Sequence, residues 1–199
     1  MLRIIVGGVL GAIVAFVWSF VSWMVLPWHN VSMNKFTNQE FVTWVMKENA
    51  PKSGVYVAPY YGSNDANVTP EEVKQSFDKQ KDAFDKGPFI FAQINLKGMD
   101  PSNPWVYIFS FLTQFVGAAL ISWLLLQTSC GYGKRLLFVT VIGLLIGVLG
   151  FIPDWNWFGA GYKFTLVMIA DLIVTWFLAG IVLAAYVKPR GEHQRELMM

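Results

Sequence analysis

Cysteine and histidine are scarce in this chain. The single cysteine, Cys130, excludes an intrachain disulfide, and we interpret its thiol as a bystander rather than a lipidated or reactive group. The two histidines are His29 and His193, and so distant a pair does not supply a histidine-based metal centre. We therefore expect no metal ion and no cofactor.

Charged residues are also scarce, and motifs of soluble enzymes are absent. The chain has no phosphate-binding loop, no G-x-G-x-x-G, no H-E-x-x-H and no G-x-S-x-G. Charged residues make up 14% of the chain, against about 25% in soluble domains. Residues 27–103 hold eight lysines against nine acidic residues, which offers no basic surface to a nucleic acid. We expect the partners to be the lipid bilayer and a membrane protein or further copies of this chain.

Long apolar runs are abundant. Hydrophobic residues make up 55% of the sequence, and about 20 apolar residues in a helix cross a hydrocarbon layer of about 30 Å. The first run exceeds the apolar core of a signal peptide and lacks a small-residue cleavage pattern, so we interpret it as a retained anchor. Four runs predict transmembrane helices: residues 4–26, 105–127, 136–152 and 164–187.

The predicted fold is an all-α integral membrane protein, a four-helix transmembrane bundle with a small α+β extracytoplasmic domain, residues 27–103, between the first two spans. Within that domain the TNQE sequence at 37–40 is a capping box that predicts a helix through Asn49. The TPEE sequence opens a second helix, which we expect to end near Lys86. Two further segments are rich in β-branched and aromatic residues and predict paired strands: 54–61 and 89–96.

Basic residues predict the orientation, because Lys and Arg next to a span resist translocation. If the spans alternate in direction, Lys134, Lys188 and all the arginines share one side. Both termini, including the tail 188–199, are then predicted to be cytoplasmic. Because the chain shows no eukaryotic targeting feature, we expect a bacterial inner membrane. The arginines are Arg3, Arg135, Arg190 and Arg195.

Aromatic residues concentrate in the predicted outer loop, residues 153–162. Tryptophan and tyrosine favour the level of the lipid headgroups, where one end of the ring is apolar and the other is wet. We interpret them as an aromatic belt, and a ligand-facing role is the alternative. The predicted interface residues are Trp28, Trp105, Trp155, Trp157 and Tyr162.

Asp171 is the one acidic residue inside a predicted span. It lies about nine residues from the outer end of its helix, roughly 13 Å deep at 1.5 Å per residue, where a carboxylate needs a partner, water or a proton. We prefer a structural, hydrogen-bonded acid, because a relay requires further ionisable residues in the spans; a proton or cation site is the alternative. Matching depths predict an intramembrane polar cluster of Asp171, Gln114, Ser19, Thr140 and Thr175.

Small residues recur every four positions on the first and third spans. This spacing predicts close helix packing, and it leaves open whether the partner helix belongs to this chain or to a neighbour. The predicted packing residues are Gly7, Gly11, Ala15, Gly143 and Gly147.

The layout of one span, a large outer domain and three further spans resembles that of claudin-type four-pass proteins. The chain lacks their outer-loop cysteine pair and W-GLW signature. It also resembles, in topology, the permeases of the macrolide-exporter class of ABC transporters, but the turn at 128–135 is shorter than a coupling element that contacts an ATPase.

Three functions follow from these features. We expect a non-catalytic structural or accessory subunit, or scaffold, that acts through its outer domain and its small-residue helix faces. The first alternative is a small carrier or lipid-handling protein that uses intramembrane Asp171. The second is a membrane-embedded enzyme, for which His29 would have to reach Asp171 across most of a leaflet.

Overall fold

The computed structural model describes residues 1–60 and 67–188. Four of its helices are long and apolar enough to cross a membrane, which indicates a multi-pass membrane protein. Of the predicted tail 188–199, all but Lys188 lies outside the described residues. The elements are α1 (Leu2–Phe20), a π-helical turn (Val21–Val25), α2 (Trp28–Ser32), α3 (Gln39–Asn49), β1 (Gly54–Ala58), α4 (Pro70–Lys86), β2 (Ile90–Ile94), α5 (Pro104–Leu126), α6 (Tyr132–Phe158) and α7 (Tyr162–Tyr186).

The chain divides into two compact units. The helical unit contains Met1–Asn34, Asp100–Trp155 and the chain from Ala160 onward. The α+β unit contains Lys35–Met99 together with Asn156–Gly159. The predicted combination of a four-helix membrane bundle with a small two-stranded insert is therefore present.

The small-residue stripe of α1 faces helices of the same chain. A Cβ atom on Gly11 would lie 2.7 Å from Cβ of Ala118 and 3.1 Å from a methyl group of Leu183. A Cβ atom on Gly7 would overlap the hydroxyl oxygen of Ser122. The missing side chains thus allow α1 to approach α5 and α7 closely, and this answers the question that the spacing left open.

A second close approach joins α6 to α7. A Cβ atom on Gly143 would lie 2.7 Å from the carbonyl oxygen of Leu172, and one on Gly147 would lie 3.1 Å from Cα of Ile169. Ala15 of α1 is also fully buried. The apolar core of the bundle comes mainly from α5, α6 and α7, and consists of Ala118, Ile121, Leu125, Val139, Trp176, Ala179, Leu183 and Val187.

Two arginines bind backbone carbonyl oxygens near the end of α7. The Nε atom of Arg135, a residue that is 3% exposed, donates to the carbonyl oxygen of Ala184 at 3.0 Å, and its Nη1 atom donates to that of Cys130 at 2.7 Å. Arg3 Nη1 donates to the carbonyl oxygen of Lys188 at 3.1 Å. Cations are stabilised where a helix ends in unpaired carbonyl groups. We call this end of the bundle, marked by Arg3, Arg135 and Lys188, the basic end.

The two strands of the α+β unit pair as predicted. They are antiparallel, with Gly54 opposite Ile94 and Ala58 opposite Ile90. The sheet has two strands within the described residues. A pair of strands is marginal alone, so it relies on the helices of its own unit for stability.

The N-cap of α4 is the residue predicted from the sequence, whereas the N-cap of α3 is a different one. At α4, the Thr69 hydroxyl accepts from the Glu72 N–H and the Glu72 carboxylate accepts from the Thr69 N–H at 2.8 Å. The Thr69 N–H and the Thr69 hydroxyl both donate to the Glu72 carboxylate, and this holds the pKa of Glu72 below its ordinary value. At α3, Asn38 rather than Thr37 is the cap, and its side-chain oxygen accepts from the Phe41 N–H at 2.9 Å.

The predicted loop 153–162 is mostly helical. Helix α6 continues to Phe158 and contains Pro153. Proline removes one helical N–H donor, which favours a break in the helix. The last turn of α6 belongs to the α+β unit, where the rings of Phe158 and Phe91 stack with centroids 4.3 Å apart. Packing therefore outweighs the local break signal.

Gly159 ends α6 and starts the connection to α7. Its φ is 73°, in the left-handed region that favours glycine. The Ala160 N–H donates to the carbonyl oxygen of Asp154 at 3.1 Å, so a carbonyl group of the last turns of α6 has a partner beyond the helix. The connection to α7, which starts at Tyr162, is therefore shorter than the sequence predicts.

Candidate functional site

The Asp171 carboxylate is buried on α7 and binds side chains of the first span. Trp18 Nε1 donates to Asp171 Oδ1 at 2.7 Å, and Ser22 Oγ donates to the same oxygen at 2.7 Å. Trp18 and Ser22 are four residues apart, so they lie on one helical face. Asp171 is 7% exposed. The two hydrogen bonds hold its carboxylate against the end of α1.

His29 is the second ionisable residue of this site. Its Nε2 atom lies 3.4 Å from Asp171 Oδ2 and 3.0 Å from Ser22 Oγ, and the side chain is fully buried. The expectation that most of a leaflet separates His29 from Asp171 is wrong. The chain turns back after α1, and this return lays α2 against α7.

The turn arises from a widened helical end and a proline. The Leu26 N–H donates to the carbonyl oxygen of Val21 at 3.0 Å, five residues back, as in a π-helix. Such turns occur often at functional sites. Leu26 is extended, the conformation favoured before a proline, and Pro27 is the N-cap of α2. The first span thus ends at Val25, and His29 follows within one turn of α2.

The hydrogen bonds of Ser22 assign the protons of the site. Its hydroxyl has one hydrogen, which it donates to Asp171, so Ser22 Oγ is an acceptor in its other contacts. Trp28 Nε1, which is only a donor, lies 3.1 Å from Ser22 Oγ. The contact of His29 Nε2 with the same oxygen then requires a proton on Nε2. This tautomer is assigned from the network of bonds.

The other ring nitrogen of His29 has no partner. Among the described residues, His29 Nδ1 is the buried side-chain nitrogen or oxygen atom without a hydrogen bond. An unsatisfied buried polar group costs about 1–3 kcal/mol. A site that is fully bonded at Nε2 and unbonded at Nδ1 is not optimised for stability alone, and such groups call for a functional explanation.

Tryptophans surround the imidazole. The Trp23 ring stacks on His29 with centroids 3.8 Å apart and an interplanar angle of 7°. The Trp28 ring is nearly perpendicular to it, at 74° and 5.6 Å. An indole face and a carboxylate both attract positive charge. The site therefore has the composition of a cation-binding site, with an imidazole in the position of the cation.

The predicted polar cluster does not supply the partners of the carboxylate. Ser19, Thr140 and Thr175 each donate to the carbonyl oxygen four positions earlier in their own helix, at 2.9, 2.9 and 2.7 Å. Gln114 is half-buried on α5. Hydroxyl groups in helices commonly bond to the backbone of their own helix in this way. The depth argument did not consider that these carbonyl oxygens compete with the Asp171 carboxylate for the hydroxyl groups. Asp171 and Thr175 are adjacent through the backbone of α7.

Sequence reasoning missed Trp18 and Ser22, and it placed His29 too far from Asp171. A usable signal existed for the first two, because they continue the face of α1 that carries Gly11 and Ala15, at steps of three and four residues. His29 gave no such signal, because its position depends on the turn before α2.

The predicted interface aromatics lie in three environments. Trp105, Trp155 and Tyr162 are exposed on the helical unit. Trp28 belongs to the Asp171 site, where its Nε1 atom also lies 3.2 Å from the carbonyl oxygen of Ser22. Trp157 lines an apolar pocket of about 570 Å³ in the α+β unit.

Metal binding is not indicated in residues 1–60 and 67–188, where no three His, Cys, Asp or Glu side chains are grouped. The His29–Asp171 pair would supply two protein ligands, and catalytic zinc sites use three. No known protein family, curated protein or solved structure matches the chain. Functional inference therefore depends on the chemistry of this site.

Proposed function

We propose that the protein is a small membrane carrier that binds a proton or another cation at the Asp171–His29 pair. The observation that supports it is the 3.4 Å contact between a buried carboxylate and a buried imidazole. The preference for a purely structural Asp171 depended on the absence of a second ionisable residue, and His29 is that residue. The side chains in hydrogen-bond contact with the pair, Trp18 and Ser22, carry no charge, and neither does Trp28, which bonds to Ser22.

The depth of the site favours proton exchange with one side of the membrane. Asp171 precedes Lys188 by 17 residues, or about 25 Å of helix at 1.5 Å per residue. If the basic end lies at one boundary of a hydrocarbon layer about 30 Å thick, Asp171 lies near the opposite boundary, shallower than the depth of roughly 13 Å predicted from the sequence. A charged residue costs less there than at the centre of the bilayer.

The proposal also includes the orientation of the protein in the membrane. We propose that the basic end faces the cytoplasm of a bacterial cell, because basic residues remain on that side, and that the α+β unit is extracytoplasmic. The exposed rings of Trp105, Trp155 and Tyr162 would then belong to the outer aromatic belt.

Thiol labelling tests the orientation. Gln75 is exposed on α4, and we expect Gln75→Cys in a Cys130→Ala chain to react with a membrane-impermeant maleimide in intact cells. Native Cys130 should react only after the membrane is permeabilised and the protein is unfolded, since this thiol is half-buried. Labelling of Cys130 but not of Cys at position 75 in intact cells would reverse the proposed orientation.

Nuclear magnetic resonance of the imidazole tests proton binding. Replacement of His193 by Ala leaves His29 as the only histidine, so ¹⁵N-histidine labelling reports on one ring. We expect its signals to depend on pH when Asp171 is present, because the carboxylate next to the ring can take part in proton binding, and to lose this dependence in Asp171→Asn. Identical signals at all pH values in the Asp171 protein would contradict the proposal.

An accessory subunit is the second candidate. On α3 the rings of Phe41 and Trp44 stack with centroids 5.9 Å apart, and the residues are 58% and 57% exposed. Adjacent exposed aromatics often contact another protein. The glycine faces, by contrast, are occupied by packing within the chain. Co-purification of a defined subunit in mild detergent would favour this function over the carrier.

A further inference from the structure

We infer that the Asp171 site binds a small planar organic cation, of the imidazolium, amidinium or guanidinium class, and that His29 occupies the position of this ligand when none is bound. The inference depends on the proposed function, because it names the substrate class of the same site. Three observations carry it: the surroundings of the imidazole ring, the unpartnered Nδ1 atom and the attachment of α2.

The surroundings of the ring match the chemistry of a planar cation. Trp23 provides a parallel aromatic face at 3.8 Å, and Asp171 with Ser22 provides oxygen atoms that accept from the Nε2 edge of the ring. A planar delocalised cation can stack on an indole and donate N–H bonds to a carboxylate at the same time. An ammonium ion lacks the flat face, and an anion would be repelled by Asp171.

The unpartnered nitrogen makes His29 an imperfect occupant. Nδ1 is fixed next to the backbone of α2 by the geometry of histidine, and no acceptor or donor from residues 1–60 or 67–188 meets it. A free cation can rotate so that its N–H groups face Asp171 Oδ2 and Ser22 Oγ, the oxygen atoms that His29 now contacts. The tethered imidazole reaches these oxygens with one nitrogen, whereas a free ligand can direct a separate N–H group to each.

The attachment of α2 permits the exchange. This helix has five residues, and His29 is the buried one, whereas Val31 is 74% exposed. Extended residues flank it on both sides, Leu26 before and Met33 after. Rotation at these two positions moves His29 away from Asp171; it also breaks the contacts of Trp28 Nε1 with Ser22 but leaves the helical hydrogen bonds of α1 and α7 in place.

His29→Ala provides the direct test, because it removes the tethered imidazole and keeps Asp171, Ser22 and Trp23. In detergent at pH 6, we expect imidazolium chloride and methylguanidinium chloride to raise Tm saturably by about 2–8 °C relative to NaCl at equal ionic strength. The double variant His29→Ala/Asp171→Asn should show no such rise. The chain with native His29 should bind methylguanidinium at least about tenfold more weakly, because His29 must first leave.

The native site is tested separately by the ¹⁵N signals of His29 in the His193→Ala chain, so the test remains decisive even if His29→Ala does not fold. We expect methylguanidinium, but not NaCl, to move these signals saturably toward those of an exposed histidine. Saturable binding in His29→Ala supports the inference, and the absence of any response to methylguanidinium in the native site overturns it. Signals that respond to pH but not to organic cations would leave proton binding in place. Signals that respond to neither would remove the proposed function as well.

Discussion

Asp171→Leu is expected to lower the free energy of unfolding by about 2–5 kcal/mol, because it removes the buried acceptor of several side-chain donors and leaves those donors unsatisfied. The indole N–H of Trp18 and the hydroxyl of Ser22 both donate to Asp171 Oδ1, and His29 Nε2 lies 3.4 Å from Oδ2. Leucine has no acceptor for these groups. Thermal and chemical unfolding in a mild detergent measures the loss.

Asp171→Asn separates the hydrogen bonds from the charge. Its amide oxygen can still accept from Trp18 and Ser22, so we expect a folded protein with a smaller loss of stability than the leucine variant. If the acid is purely structural, this variant should keep all activity. If it binds a proton or cation, as we propose, the variant should fold but lose the pH response of His29, because an amide does not change charge.

Thr175→Val is the matched control on α7. The substitution keeps a β-branched shape one turn from Asp171 and removes a hydroxyl that bonds only to the backbone oxygen of Asp171 in its own helix. We expect a small change in stability, because the hydroxyl bonds to a backbone carbonyl oxygen of its own helix and its removal leaves no side chain without a partner. A leucine variant at Asp171 that is as stable as this control would show that the carboxylate does not receive the described bonds.

Gly11→Leu is expected to have the second large effect. A Cβ atom alone would lie 2.7 Å from Cβ of Ala118 and 3.1 Å from Leu183, and Ala118 has no flexible end that could move aside. The side chain must push α1 away from α5 or α7. Overpacking of a core typically costs about 1–3 kcal/mol, occasionally more, and the larger value is expected because two helices are involved. Thermal unfolding in detergent measures it.

Gly150→Leu is the control for this substitution. Gly150 also lies inside a membrane-spanning helix, α6, but a Cβ atom there meets nothing within 4 Å. The same change of residue should therefore leave Tm unchanged or raise it slightly through better helix propensity. Equal behaviour of the two leucine variants would mean that α1 does not pack on α5 and α7 through Gly11.

The elements of this protein were predictable where the signal is local. The four spans follow from long apolar runs, and the start of α4 follows from Thr69 and Glu72, whose capping bonds need no distant residue. The pairing of β1 with β2 follows from two short β-rich segments, and the structure adds that the pair is antiparallel. Local signals failed where packing opposed them, as at Pro153, which lies inside α6.

The partners of Asp171 were decided by the tertiary structure. The sequence by itself identified a lone acid that required a partner, because a carboxylate in an apolar span is costly. It did not identify the partner, since Ser22 and Asp171 are 149 positions apart, and His29 lies outside every predicted span. The turn at Leu26 and Pro27 brings His29 back to α7, and whether a short helix turns toward or away from a bundle depends on the surface it meets. The sequence thus determined the spans and the need for a polar contact, whereas the packing of α1, α2 and α7 determined which side chains make it.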